Sequence, residues 1–280
     1  MRPEISSKQF GFMPDKGTRN AILTLSMLME RCIEMSKDLH LCFIDYSKTS
    51  DKARHVELFR MLEKLDIDGK DLRLFSNLYW DQTASVRIEG EHSNFKHIKR
   101  YVRQGCVMSP DLLNLYSEII LMSLDGISGL KINGQNLNNL RHADDTVLIA
   151  ESGKQLQKLL DTVVLEGEGM GLSLNGKKTE CMIISKKSSN PKCNLVSKSK
   201  QIKQVSKFKY LITSDGRCTN ERNNASFALT SEWSREMSKI GSRGVKMVKG
   251  RRGFGWSGMD RGREEEEEKG VKGKRRNDKI

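Results

Sequence analysis

Apolar residues recur along most of the chain with two alternating periods. From Gly17 to Ser36, Ala21, Leu25, Leu28 and Cys32 fall on one stripe with Ile22, Met29 and Ile33 beside it, the spacing of an amphipathic helix. LHLCFIDYS, from Leu39, breaks that period: a run of mostly apolar residues closed by a charge, Asp45, predicts a buried strand. His55 to Ile67 returns to helical spacing, and Gly69 opens another short helix, GKDLRLFSNLYW. TASVRIEG from Thr83 and NFKHIKR from Asn94 read as two strands joined by polar, glycine-containing turn material. Pro110, at the mouth of DLLNLYSEIILMSL, marks a helix start. Leu130 to Asn133 and Asn139 to Ile149 predict short strands. Ser152 and Gln155 form a capping box ahead of Leu156, Leu159, Leu160, Val163 and Val164. Gly167 and Gly169 weaken the end of that helix, each by about 1 kcal/mol against alanine. Glu180 to Ser185 and Gln201 to Ile212 predict further strands. From about Ser234 the patterning stops. The remainder is glycine-rich and charged, with five consecutive glutamates, and buries too little apolar surface to offset chain entropy, so it is expected to be disordered.

Interleaved helices and strands, with antiparallel signals in the middle, indicate an α+β fold with an antiparallel sheet packed on helices. Neither a dinucleotide-binding glycine fingerprint nor a phosphate loop is present in the sequence. The balance of 49 Lys and Arg against 36 Asp and Glu gives +13, which suits a polyanionic partner and supplies attraction without sequence specificity. The six cysteines form no C-x-x-C pair and no zinc-ligand spacing, which favours a reducing, intracellular setting. VKGKRRNDK near the end is a candidate nuclear localisation signal, so nucleus or cytoplasm is the expected location. No apolar run approaches membrane-span length, and the first residues lack a signal-peptide core, so no membrane partner is expected. The oligomeric state has no signature in the sequence.

The candidate chemistry lies in RHADDTVLIA, Arg141 to Ala150. Asp144 and Asp145 taken alone have two readings: a solvated acidic turn, which Asp tolerates well, or half of a metal site. Asp45, closing its apolar strand, is the natural third carboxylate if the two strands are neighbours in one sheet. Three carboxylates suit Mg²⁺, which prefers hard oxygen ligands and completes its shell with water and substrate phosphates. Two ions about 3.5–4 Å apart would serve phosphoryl transfer. Side chains alternate along a strand, so the two aspartates need not share the work equally, and Asp144 is expected to be the principal ligand.

The ordered blocks QFGFMPDKGTRNAI, FIDYSKTSDKARH, VRQGCVMSPDLLNLY, HADDTVLIAE, GLSLNGKKTE and KFKYLITSDG resemble the reverse transcriptase of a non-LTR (LINE-type) retrotransposon of the RTE-like group. The resemblance runs from about Gln9 to Asn224 and implies a right-hand polymerase that copies RNA into DNA. By that resemblance, residues 1–40 are partial fingers and 41–224 the palm with residual fingers elements; composition, not the resemblance, makes 225–280 a low-complexity tail expected to be disordered. Asp45 becomes the first metal-binding aspartate and Asp144 and Asp145 the catalytic pair of the following hairpin, with two Mg²⁺ ions as cofactors and Mn²⁺ as an alternative. Arg103, Gln104 and Gly105 lie in the loop that supports the incoming nucleotide and the template, Lys178 near the nucleotide phosphates, and Phe208 to Leu211 at the start of the primer-steadying hairpin. The implied partners are an RNA template, a DNA primer and dNTPs. Three departures stand out. His142 replaces the aromatic before Ala-Asp-Asp, Thr49–Ser50 replaces the Ala-Phe whose ring excludes ribonucleotides, and FKYL runs into ITSDG without the usual spacer. These departures, with the expectation of a shortened copy, leave a second function class open: a catalytically impaired nucleic-acid-binding remnant.

Overall fold

The computed structural model describes residues 5–64, 67, 69–187, 191–214, 224–230, 245–250 and 253–258, with side chains as far as Leu211. Helix α1 (Thr18–Glu34) buries Ala21, Ile22, Leu25, Met29 and Cys32 of the predicted face, with Leu28 and Ile33 half-buried. Strand β1 (Leu39–Ile44) is buried at all six positions, and Asp45 follows directly. A single helical turn, α2 (Thr49–Lys52), precedes α3 (His55–Lys64) and α4 (Gly69–Tyr79).

The next stretch differs from the expected simple hairpin. It forms four two-residue strands, β2 (Thr83–Ala84), β3 (Arg87–Ile88), β4 (Glu91–His92) and β5 (Lys96–His97), paired β2 with β5 and β3 with β4. All eight positions are exposed, so no buried face extends the ladders. Helix α5 (Ser109–Met122) carries the predicted Pro110 in its first turn. A hairpin of β6 (Leu130–Ile132) and β7 (Gln135–Leu137) leads into β8 (Asn139–His142) and β9 (Asp145–Ala150).

Helix α6 (Gly153–Gly169) starts at Ser152, whose hydroxyl accepts the Gln155 N–H at 3.3 Å, while Gln155 Oε1 accepts the N–H of Glu151 rather than that of the cap itself. The helix runs through Gly167, where a Cβ would press on the Tyr46 ring, 3.2 Å from its hydroxyl. Then follow β10 (Glu180–Ile184), β11 (Val196–Ser197), β12 (Lys200–Gln201), β13 (Lys203–Gln204) and β14 (Lys207–Ser214). Beyond these, β14 pairs with β15 (Asn224–Thr230), and β16 (Val245–Gly250) pairs with β17 (Gly253–Gly258). The sequence predicts no strands past Ser234, but VKMVKG and GFGWSG sit two residues apart, the spacing of a tight hairpin. The rest of the tail, on which the expectation of disorder falls, lies outside the described residues.

The principal sheet has the order β13-β10-β1-β9-β8, antiparallel except where β13 joins β10. The central strand β1 is covered on both faces, which explains its continuous apolar run. Cys42 and Ile44 join a core with α3, α4, α5 and α6. Leu39, Leu41 and Phe43 join a second core with α1 and β14. The architecture is therefore α+β, an antiparallel sheet packed on helices, as a polymerase palm requires.

Candidate active site

Three segments distant in sequence reach one row at one end of the sheet. In the β1–β9 register Ile44 lies opposite Thr146, and one further step sets Asp45 opposite Asp145. In the β1–β10 register Phe43 lies opposite Glu180, and two further steps set Asp45 opposite Lys178. The Lys178 ammonium stands 3.9 Å from the Asp45 carboxylate. The backbone of Asp45 is tied down: its N–H donates to Thr179 Oγ1 at 3.5 Å, and its carbonyl accepts the Asn175 N–H at 2.8 Å.

Asp45, Asp145 and Lys178 line a pocket of about 160 Å³ whose other walls include Phe43, Phe208 and Tyr210. Phe208, from β14, stacks on Phe43 with ring centroids 3.8 Å apart and planes within 9°. The segment expected to open the primer-steadying hairpin thus sits beside the carboxylates. Asp144 is not on the pocket wall. It occupies the turn and acts on Asp145 through its charge. The geometry thus puts Asp145 on the pocket wall and Asp144, expected from the sequence to be the principal ligand, in the adjoining turn.

Loss of solvation and, after it, crowding of like charge set the electrostatics of the site. The Asp145 carboxyl is pushed up to about 6, first by loss of solvation, then by Asp144 and Asp45, with Lys178 opposing. His142, half-buried at the end of β8, is held below the usual imidazole range by burial, with Asp144 opposing. The Tyr210 hydroxyl is buried without a partner and is pushed up by burial and by Asp145.

The turn that carries the paired aspartates is held from outside the hairpin. Ala143 has φ +56°, a left-handed conformation that a residue with a Cβ disfavours. Gln9, fully buried, places its Oε1 to accept the Ala143 N–H at 3.0 Å. Below it, Arg141 Nη1 donates to Glu118 Oε2 at 2.6 Å, and both residues are buried. Sequence reasoning misses Gln9, Asn114, Glu118 and Arg141. The readable signal is Asn114 and Glu118, four apart on a helix that is otherwise mostly apolar.

The remaining expected site residues do not line this pocket. Ser50 is in α2, and its carbonyl accepts the Val102 N–H at 2.7 Å, which ties the Arg103–Gly105 loop to the segment after Asp45. Gln104 and Gly105 are exposed, and Gly105 has φ +81°, the conformation glycine supplies cheaply. Arg103 turns away from the loop. Its guanidinium donates to Leu78 O at 3.0 Å and lies over the Tyr79 ring at 6.0 Å.

Among the described residues, no group of three or more His, Cys, Asp and Glu side chains is arranged to hold a metal ion by itself. Mg²⁺ does not need such a cage, since one or two carboxylates, water and substrate phosphates complete its shell. The donor chemistry fits: two hard carboxylates lie on facing strand ends with a third in the adjoining turn, and their mutual repulsion adds to loss of solvation in raising Asp145, with Lys178 as the opposing charge. A divalent cation relieves that repulsion.

The profile of the reverse transcriptase (RNA-dependent DNA polymerase) family matches residues 1–214. The chain is 28% identical over 171 residues to the Pol polyprotein of retrotransposable element R2DM from Drosophila melanogaster, a match covering 61% of this chain and 16% of that protein. It is also 28% identical over 179 residues to the R2 Pol polyprotein of Popillia japonica, covering 63% and 25%. The chain thus matches only a quarter or less of the length of these relatives. Apo telomerase of Candida tropicalis shares the fold in two solved structures. The form truncated from its C-terminal domain has TM-score 0.51 and 16% identity, with 68% of this chain and 38% of that one covered. The other has TM-score 0.50 and 17% identity, with 65% and 34% covered. With the family profile matched over residues 1–214, the chain belongs to the reverse transcriptase (RNA-dependent DNA polymerase) family.

Proposed function

We propose that this chain is the palm of an RNA-directed DNA polymerase that joins dNTPs to the 3′ end of a DNA primer along an RNA template. The observation that carries the reading is the row Asp145, Asp45 and Lys178 on adjacent chain segments at one sheet end, inside a match to the family. The six ordered sequence blocks favour the RTE-like group.

Asp45 and Asp145 would hold the metal ions, with Asp144 adding charge from the turn. Bound there, a pair of Mg²⁺ ions would supply a lowered pKa at the primer hydroxyl and neutralise the leaving pyrophosphate. The protein's own contribution is placement. The Asp45 backbone is fixed by Thr179 and Asn175, so its carboxylate is presented at a set height above the sheet. Lys178, largely exposed, has the reach to exchange Asp45 for a nucleotide phosphate. Phe208 on Phe43 closes one wall and limits water beside the carboxylates. The basic balance of the chain attracts template and primer through their phosphates. Action in the nucleus or cytoplasm accords with this chemistry.

The test is extension of a DNA primer on an RNA template with and without Mg²⁺, beside Asp145→Asn. Metal-dependent extension by the wild type and none by the variant is the expected result. Equal products from the two proteins would sink the reading. A second reading, nucleic-acid binding without chemistry, is favoured by the docking of Arg103 onto Leu78 and Tyr79, away from the pocket. It predicts tight, steeply salt-dependent binding in the absence of extension.

A further inference from the structure

We infer that Gln9 is a positioning residue for the aspartate turn: its buried amide sets the backbone of Ala143 and, through it, the aim of Asp144 and Asp145. The effect on metal binding rests on the proposed function. The setting of the turn does not.

Gln9 lies 134 positions before Ala143, in the QFGFMPDKG segment to which the function otherwise gives no task. Its side chain is fully buried, so both ends of the amide require partners. Nε2 donates to Asn114 Oδ1 at 3.1 Å, and Asn114 Nδ2 donates to Gly11 O at 2.8 Å. That pair fixes which way the amide faces. Oε1 is left to accept three backbone N–H groups, from Phe10 at 3.0 Å, Gly11 at 2.9 Å and Ala143 at 3.0 Å. A glutamine that merely filled space would need no such convergence. The Ala143 N–H lies in the turn, beyond the last β8–β9 pair of His142 with Asp145. Gln9 therefore supplies an acceptor to a residue whose left-handed backbone is otherwise disfavoured.

Two further features hold the segment in register. The Phe10 N–H donates to Arg141 O at 2.8 Å, and the Arg141 N–H donates to Lys8 O at 3.0 Å, so the segment adds to the free edge of β8. A Cβ on Gly11 would run into the backbone nitrogen of Ala143, so the approach tolerates only glycine. The segment thus holds the turn with a hydrogen bond at Gln9 and with close backbone packing at Gly11.

The test uses two readouts that need no polymerase activity: amide hydrogen exchange at Ala143, and Mn²⁺ binding followed by electron paramagnetic resonance. Gln9→Met keeps the volume and removes both hydrogen-bonding ends. Exchange at Ala143 should quicken about tenfold, and Mn²⁺ affinity should fall about tenfold, as when a partner outside the ligand set is lost. Gln9→Glu keeps an acceptor and should recover slow exchange. Gln9→Asn, one methylene shorter, gives a milder second variant if the methionine protein fails to fold. Leu62→Val, in the buried face of α3, controls for general loss of stability. The inference is overturned if Ala143 exchange in the Gln9 variants moves no further than in Leu62→Val. If wild-type Mn²⁺ binding survives Asp145→Asn unchanged, the metal reading of the pocket falls, while exchange at Ala143 still decides the role of Gln9.

Discussion

The two sides of the candidate site are built differently. The carboxylate side grows from a five-stranded sheet whose central strand is buried on both faces, with a polar layer of Gln9, Asn114, Glu118 and Arg141 under the turn. The loop side, Ser50 and Arg103 to Gly105, is attached by Val102 N–H to Ser50 O, by Tyr101 N–H to Ala53 O and by the docking of Arg103 on α4. It is followed by α5 and preceded by two-residue ladders that bury nothing. The contrast teaches that the charges expected to do chemistry are over-determined by the core. The surface expected to select the nucleotide depends on a few local bonds. Substitutions on the first side should be costly, and on the second side tolerated or correctable.

The largest expected effect is on rate. Asp45→Asn should reduce Mg²⁺-dependent extension by about 10³-fold, the loss of several kcal/mol of transition-state stabilisation, with little change in melting temperature. A retained rate would break the comparison at its root. Next, Glu118→Ala removes the charged partner of the buried Arg141 guanidinium, leaving it only Asn139 Oδ1, and the acceptor of the Ser6 N–H, and should cost about 3–5 kcal/mol in denaturant unfolding. On the loop side, Arg103→Ala should cost only about 1 kcal/mol, because its hydrogen bond to Leu78 and its place over the Tyr79 ring are partly open to solvent. Equal losses in the two variants would show that the sides are anchored alike. Ser50→Phe restores the ring that the resemblance places there and should raise dNTP over rNTP selectivity roughly tenfold, measured as a ratio of kcat/KM.

The smallest effect concerns pH. Asp145 has a raised carboxyl, so between about pH 4 and 6 the folded protein binds more protons than the unfolded one, and stability declines as pH rises through that window. Asp145→Asn should therefore melt higher than the wild type at pH 7.5, by somewhat under about 1 kcal/mol once solvent screening is allowed for, and equally at pH 3.5. Added Mg²⁺ should stabilise only the wild type and shrink the difference. An advantage that persists at pH 3.5 would mean packing, not charge, is responsible.

Much of the carboxylate side is legible in the sequence. An apolar strand capped by Asp45 and a hairpin bearing Asp144 and Asp145 read directly from strand periodicity. That Asp145 rather than Asp144 lines the pocket follows from pairing register, which periodicity within one strand does not fix. Gln9 is illegible for a similar reason: its role is a set of hydrogen bonds closed only by the fold. Gly167 reads as a weak point in helix α6, yet the glycine admits the Tyr46 ring, a reason that exists only in three dimensions. The ladders between α4 and α5 carry strand-forming residues, but Val86, Ile88 and Phe95 remain exposed, so composition there overstates the order.

The pairing of β1 with β9 and β10 has a consequence for how the molecule is made. As the chain leaves a ribosome, Asp45 emerges long before either neighbouring strand, and Lys178 is the last of the charged row to appear. The helices can form as they emerge, but the pocket, walled also by Phe208 and Tyr210, cannot close until β14 has been translated. Because such distant pairings delay folding, the nascent chain spends much of that interval with both edges of β1 unpaired and its apolar faces waiting for cover.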